Sequence, residues 1–171
     1  MKNKGIFYAL ASAFLLSLAY IFFSILLKSL SMPKIIFYWF SIAFILALII
    51  GHKEIKKTFK EIKNNKIPLI LIGVIEGIAT ILFLISLNYL GPSLTSFFTQ
   101  FTFIFVLIYS LVFLKEKFKK RTFIGITLAI IGALIINYSI EINILKGTLI
   151  ALTTAFLLAT SSFIAKKKIK K

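Results

Sequence analysis

The chain has 171 residues, a formal net charge of +16 and a mean hydropathy of +1.01, and 60% of its residues are hydrophobic. A soluble domain of this size cannot bury that much apolar surface, so the composition predicts an integral membrane protein. The sequence contains no cysteine, no aspartate and one histidine. This excludes disulfides and thiolate metal sites, and we expect no enzyme activity, no metal and no cofactor.

Six apolar runs are long enough to cross a bilayer, which takes about 20 residues per helix. In chain order they cover residues 5–27, 34–51, 67–90, 93–114, 122–140 and 147–165. The runs are continuous and do not alternate with polar residues, which favours helices over a β-barrel. The predicted fold is therefore an all-α integral membrane protein with six transmembrane helices.

The basic residues cluster between these runs and predict the orientation of the chain. Of the 21 basic residues, 18 lie at the two ends and in the 52–66 and 115–121 loops, and Lys28, Lys34 and Lys146 lie on the other side. Basic residues stay in the cytoplasm, so we expect both termini there and the protein in the cytoplasmic membrane. This clustering also fits contact with anionic membrane lipids and does not suggest nucleic-acid binding.

The beginning of the chain recurs near its end. Residues 4–23 (KGIFYALASAFLLSLAYIFF) align without gaps with residues 146–165 (KGTLIALTTAFLLATSSFIA), and eight of the 20 positions are identical. Two apolar helices can share letters by chance, but the offset of 142 residues suggests a repeat. Residues 1–141 would form a first five-helix unit, and residues 142–171 the start of a second. Because the two matching helices begin on opposite sides, the repeat would be inverted, as in secondary transporters that work by alternating access.

Glu76 is the only acidic residue inside a predicted span. A charge near the bilayer centre costs about 3 kcal/mol, so its side chain should face the bundle or a cavity. At helical spacing it shares a face with Thr80, Leu84 and Asn88. Glu76 is therefore a candidate for proton coupling or for binding a cationic substrate, and Asn88 on the same face is a further candidate. The alternative is a neutral, hydrogen-bonded glutamate that packs between helices.

Polar and aromatic residues on three other spans are further candidates for contacting a small-molecule substrate. Thr99 and Gln100 lie on one side of span four, and Gln100 leads there because a buried amide has several donors and acceptors to satisfy. Tyr20 in span one and Trp39 in span two could line a pore and stack on a ligand cation. The alternatives are helix packing for Thr99 and Gln100, and an interfacial aromatic belt for Trp39.

Residues 85–98 (ISLNYLGPSLTSFF) and 113–138 (FLKEKFKKRTFIGITLAIIGALIINY) carry four features in order. These are an aromatic end of span three, a tight turn, a glutamate before a basic residue and a Gly-x6-Gly span, at Tyr89, Gly91-Pro92-Ser93, Glu116-Lys117, and Gly125 with Gly132. In this order they resemble the EamA-like repeat of the drug/metabolite transporter superfamily. The physical reading of Glu116 is structural, since it can pair with neighbouring lysines, and the two glycines would allow close helix packing.

The resemblance implies a secondary transporter that exports or exchanges a small amino acid-like or drug-like solute. Two departures stand out. Members commonly carry a proline in the first half of span four, and the position near Phe103 has none. The sequence therefore does not determine whether the helix bends there. Members also have ten spans, so we expect this chain either to be part of a longer protein or to need a second copy. The alternative function is a non-transporting membrane subunit or an inactive half-transporter.

Overall fold

The structure is a computed structural model that describes residues 2–52, 66–114, 120–136 and 142–169. The described residues form helices and no strand. In chain order the helices are α1 (Lys2–Ser29), α2 (Met32–Gly51), α3 (Lys66–Thr99), α4 (Thr102–Leu114), α5 (Lys120–Ile136) and α6 (Ile142–Ile169). These bounds follow the apolar runs of the sequence to within a few residues at most ends.

Four stretches in the described part of the chain are long and apolar enough to cross a membrane. They are Gly5–Ser29, Met32–Gly51, Lys66–Leu114 and Ile144–Lys166. Large apolar side chains cover their outer surfaces; Phe7, for example, is 68% exposed and Ile50 is 81% exposed. Such a surface would be unstable in water and is typical of helices that face lipid. The chain is therefore a multi-pass membrane protein.

The 49-residue stretch from Lys66 to Leu114 folds back on itself at Gly91. Gly91 has φ 71° and ψ 178°, a left-handed conformation that glycine adopts without the strain a side chain would cause. Pro92 follows and has no N–H to continue the helical ladder. We call residues 66–114 the hairpin, with residues 66–90 as its first limb and 92–114 as its second. The predicted tight turn is thus present at this point.

Contacts with α1 and α6 show that the two limbs run antiparallel. Tyr20 of α1 packs its ring edge-on against Phe83 of the first limb and hydrogen-bonds Thr99 of the second. Neighbouring residues of α6 likewise reach both limbs, because Ser161 bonds Glu76 while Thr160 bonds Tyr109. The two limbs therefore run in opposite directions, and each of them contacts α6.

The second limb is interrupted although it lacks the proline that the family resemblance implies. The helix stops at Thr99 and restarts at Thr102, so the predicted span 93–114 is two helical segments. Across the break, the Phe101 amide donates to the carbonyl of Phe98, three residues back, and the Thr102 hydroxyl donates to the Thr99 carbonyl at 2.6 Å. A side-chain hydroxyl that bonds a nearby carbonyl competes with the helical ladder and can bend it.

Helix α6 packs against the hairpin through its smallest residues. Four positions spaced one helical turn apart are buried, namely Gly147, Ala151, Ala155 and Ala159. A Cβ atom at Gly147 would lie only 2.6 Å from Cγ of Leu90 and 2.8 Å from Cβ of Tyr89. Small residues in register let two helix backbones approach closely, which is the usual way that helices associate in a membrane.

Candidate functional site

Glu76 lies where α6 contacts the first limb of the hairpin. The Ser161 hydroxyl of α6 donates a hydrogen bond of 2.5 Å to Oε1 of Glu76. Ser161 is buried and Glu76 is half-buried. The prediction that this side chain faces the bundle is consistent with that contact. Since one carboxylate oxygen is bonded to a hydroxyl, Glu76 has capacity left to accept a further bond from a proton donor or a solute.

One helical turn from Glu76, the helices border an open-sided cavity of about 190 Å³, here called the ring cavity. Helices α1, α2, α3 and α6 all contribute to its wall, with Leu16, Ala19, Tyr20, Phe23, Ile36, Trp39, Ala79, Thr80, Phe83, Leu84, Thr154 and Leu158. An engineered cavity of about 150 Å³ holds benzene, so this space suits a ring-sized group. Its lining contains no charged side chain.

Four aromatic rings form much of that wall and contact one another edge-on. The Tyr20 and Phe83 ring centroids are 5.0 Å apart, as are those of Phe23 and Trp39, and Phe23 also meets Phe83 at 6.0 Å. Edge-to-face pairs at these separations are the favourable arrangement for aromatic side chains. The rings therefore join α1, α2 and the first limb along one wall of the cavity.

Polar groups enter the ring cavity at a few defined points. Tyr20 and Thr99 hydroxyls are 2.7 Å apart, and the Thr99 hydroxyl itself donates to the Thr95 carbonyl. Because Thr99 has a single hydroxyl proton, Tyr20 is the donor of the bond between them. The Thr80 hydroxyl donates to the Glu76 carbonyl at 2.8 Å, which fixes its rotamer at the cavity wall. The wall is thus apolar with a few oriented hydroxyl groups.

Glu76 lies just beyond the ring cavity, on the side away from Gly91. It precedes the lining residue Thr80 by four positions, which is about 6 Å along the helix. Helix α6 runs antiparallel to the first limb, and there Ser161 follows the lining residue Leu158 by three positions. The Glu76–Ser161 pair therefore stands at one end of the cavity, within one helical turn of its lining.

A second cavity of about 310 Å³ lies at the opposite end, between α1 and the first limb. It is lined by Ser24, Leu27, Lys28, Leu87, Asn88 and Gly91, and is here called the lysine cavity. Ser24 directly follows the ring-cavity residue Phe23, and Leu87 lies one turn beyond Phe83 and Leu84. The two cavities thus succeed each other along the groove between α1 and α3.

The structure places the predicted site residues at different points along the helices. Tyr20 and Trp39 line the ring cavity, Thr99 contacts Tyr20, and Asn88 lines the lysine cavity. Trp39 is also 47% exposed, so part of its ring lines the cavity and part lies at the protein surface. Gln100 lies at the interruption of the second limb and its side chain is exposed, so its contact with a solute stays a prediction. The break removes the helical spacing that placed it beside Thr99.

The residues predicted to have structural roles differ in what the structure shows about them. Gly91 and Pro92 form the apex of the hairpin. Glu116 lies outside the described residues. Within the described part of the chain, a Cβ at Gly125 or Gly132 would meet no atom within 4 Å. Their close packing therefore stays a prediction, and the glycine that is in close contact is Gly147 of α6.

Sequence reasoning missed several residues that build the site. Phe23 and Phe83 form its aromatic wall, and Ser161 bonds the carboxylate. Phe23 stands one turn from Tyr20, so the helical face of Tyr20 could have revealed it. Ser161 had no comparable signal, because nothing in its own helix indicates that it meets a residue 85 positions earlier.

Comparison with known proteins gives one family. The sequence model of the EamA-like transporter family matches residues 3–138. No curated protein and no solved structure shows a significant match to the chain.

Proposed function

This chain belongs to the EamA-like transporter family, and we propose that it moves a small metabolite across the cytoplasmic membrane by alternating access. Members of the family are membrane transporters of the drug/metabolite superfamily and not enzymes. The proposed solute is amino acid-like or drug-like, and the proposed direction is export.

The observation that carries this proposal is a ring-sized cavity with a carboxylate at one end. The ring cavity lies between four helices, has an apolar wall and offers oriented hydroxyl groups. Small-molecule sites commonly combine such a wall with a few polar groups that fix orientation. Glu76 is the only acid in the described part of the chain, and acids inside membrane proteins commonly serve ion pathways. We assign Glu76 to proton coupling.

The proposed topology has six crossings with both termini in the cytoplasm. Helices α1, α2 and α6 each cross once, and the two limbs of the hairpin cross in opposite directions. Helix α5 supplies the remaining crossing, with 17 described residues at the short end of the usual range. In this orientation the Glu76 end of the groove faces the cytoplasm and the Gly91 end faces outward. The distribution of basic residues supports this assignment.

We also propose that the complete transporter contains a second five-helix unit, which α6 begins. In an inverted-repeat transporter the substrate site lies between the two units, so each unit contributes one wall. The apolar face of α1, largely exposed in this structure, is where such a unit would contact the chain. The partner is either a continuation of the same protein or a second copy.

The proposal can be tested by transport in proteoliposomes that contain the purified protein. Radiolabelled phenylalanine and ethidium represent the two solute classes, and an imposed pH gradient supplies the driving force. We expect flux of at least one solute to depend on the gradient and to lose that dependence in Glu76→Gln. The amide can still accept the Ser161 hydrogen bond, so the variant should fold.

A pair of serine variants serves as the matched control. Ser161→Ala removes the group that bonds Glu76, whereas Ser162→Ala removes the neighbouring exposed hydroxyl. The first should alter the pH dependence of flux and the second should not. Unchanged flux and pH dependence in Glu76→Gln would exclude the coupling role. No flux of either solute by the intact protein would favour the non-transporting subunit.

A further inference from the structure

Three residues that line the lysine cavity carry hydrogen-bond donors of different kinds, and two of them, Lys28 and Asn88, are exposed. Lys28 supplies an ammonium group, Asn88 an amide and Ser24 a hydroxyl. The ammonium has three N–H donors and no acceptor, and the amide adds two more donors. Together with its position beside the ring cavity, this set favours a ligand that carries anionic oxygen atoms.

The charge around this cavity also favours an anionic ligand. Among the described residues the only carboxylate belongs to Glu76, which precedes Asn88 by 12 positions on α3, about 18 Å along the helix. No carboxylate in the described ranges is therefore close enough to neutralise Lys28. Hydrogen bonds from an ammonium group to a carboxylate or phosphate are about twice as strong as those between neutral groups.

The two cavities follow each other along α1, and this order suggests what the rest of the ligand looks like. Phe23 lines the ring cavity and Ser24, the next residue, lines the lysine cavity. A solute with its anionic group near Lys28 can place an apolar body against Phe23 and Phe83. The five positions from Phe23 to Lys28 span about 7.5 Å of helix, a length that a small aromatic acid can bridge.

We propose that the lysine cavity binds the anionic group of a solute whose aromatic or apolar body enters the ring cavity. This narrows the substrate class of the proposed transporter, and so rests on that function, to small aromatic or apolar acids. A lipid phosphate offers the same anionic chemistry, because a lysine near the membrane surface can extend its ammonium to a headgroup. The test must therefore separate a free solute from a lipid.

Trp39 provides a direct signal for this test. It is the only tryptophan in the chain, and it lines the ring cavity. Phenylacetate added to the full chain in phosphatidylcholine nanodiscs should change Trp39 fluorescence in a saturable way. Lys28→Gln should weaken this binding about tenfold, as expected for losing a hydrogen bond to a charged group. Lys34→Gln is the matched control, because Lys34 is exposed like Lys28 but lines neither cavity.

Asn88→Ala gives a second variant that retains the charge, and it should weaken phenylacetate binding by a smaller factor. Phenethylammonium has a similar size and the opposite charge, and it should bind at least tenfold more weakly than phenylacetate. Equal binding of the two probes, or equal loss in Lys28→Gln and Lys34→Gln, would overturn the proposal.

Nanodiscs of phosphatidylglycerol separate the two sources of anion. Phenylacetate binding that persists in these nanodiscs supports a solute site. Binding that is lost there, while inorganic phosphate also displaces phenylacetate in phosphatidylcholine, means that lipid phosphate occupies the cavity and overturns the solute assignment. Because the assay measures binding without flux, a protein that binds phenylacetate but fails to transport would contradict the proposed function and leave this site intact.

Discussion

Helices α1 and α6 begin with the same motif, yet the hairpin contacts them in different ways. On α6 the small positions Gly147, Ala155 and Ala159 are buried against the hairpin. The equivalent positions on α1 carry small residues too, and those whose side chains are described are exposed, namely Gly5, Ala13 and Ser17. The same sequence pattern therefore forms a tight helix interface at one place and an open surface at the other.

The difference follows from the residues after the shared motif. The last identical pair is Leu16 and Leu158, and beyond it α1 carries Tyr20 and Phe23 where α6 carries Ser162 and Ala165. Tyr20 and Phe23 of α1 pack their rings against Phe83 of the first limb and form part of the ring-cavity wall. Small residues bring α6 close to the hairpin, and Thr154 and Leu158 of α6 line the same cavity. Both helices thus contribute to the site, but α6, unlike α1, packs against the hairpin through small residues.

The largest expected effect comes from filling a buried position of the α6 interface. Ala155 is 0% exposed, so Ala155→Leu forces three extra carbon atoms into a packed contact. We expect a loss of about 3 kcal/mol in stability, the upper end for overpacked cores. The matched variant Ala13→Leu changes the equivalent exposed residue of α1 and should cost little. Thermal unfolding in detergent measures both, and equal losses would contradict the difference between the two helices.

A smaller steric change tests the closest contact. Gly147→Ala places a Cβ 2.6 Å from Leu90 and should destabilise the protein by about 2 kcal/mol. Gly5→Ala is its counterpart, and the new Cβ meets no atom within 4 Å. A helix interior gains from alanine, so Gly5→Ala should be neutral or stabilising. If both variants unfold at the same temperature as the unmodified protein, α6 does not pack as described.

The polar contact of α6 should be worth less than its steric fit. Ser161→Ala removes the hydrogen bond to Glu76 and should cost about 1–2 kcal/mol. A double-mutant cycle with Glu76→Ala isolates the pairwise energy, since each single change removes one partner of the hydrogen bond. Strictly additive effects in thermal unfolding would mean that the two side chains do not interact in the membrane protein.

The smallest effect is expected on the α1 side. Tyr20→Phe keeps the ring against Phe83 and removes only the hydroxyl that bonds Thr99, so we expect a loss of about 0.6 kcal/mol. Tyr8→Phe removes a hydroxyl from an exposed ring on the same helix and should have no measurable effect. A loss in Tyr20→Phe as large as that in Ala155→Leu would show that α1 depends on this contact as strongly as α6 depends on its small residues.

Much of the fold follows from the sequence because a membrane helix can be identified from the length of its apolar run. The apolar runs gave the bounds of α1, α2 and α6 closely, and the Gly91-Pro92 pair marked the turn of the hairpin. The interruption after Thr99 was not predicted, because the sequence there has no proline and remains apolar. It depends on hydroxyl groups that bond carbonyls of their own helix, which hydropathy does not register.

The site was only partly predictable. A lone acid and an aromatic residue stand out in any apolar run, which is how Glu76, Tyr20 and Trp39 were found. Their partners were missed because periodicity tells which residues share a face, and not which two faces meet. Ser161 and Phe83 acquire their roles through contacts between helices far apart in the chain. Gln100 lies where the helix is interrupted, and the sequence did not reveal that its predicted helical face is broken there.

The central claim is that α6, and not α1, lies against the hairpin through the shared small-residue motif. The chain has no native cysteine, so engineered pairs can be tested without background. A disulfide needs Cα atoms about 4.4–6.8 Å apart. We predict that Leu90→Cys with Gly147→Cys oxidises to a disulfide in native membranes, detected as loss of thiol labelling. We also predict that Leu69→Cys with Gly5→Cys, near the start of both the first limb and α1, stays reduced. Equal oxidation of both pairs, or oxidation of the Gly5 pair alone, would contradict the claim.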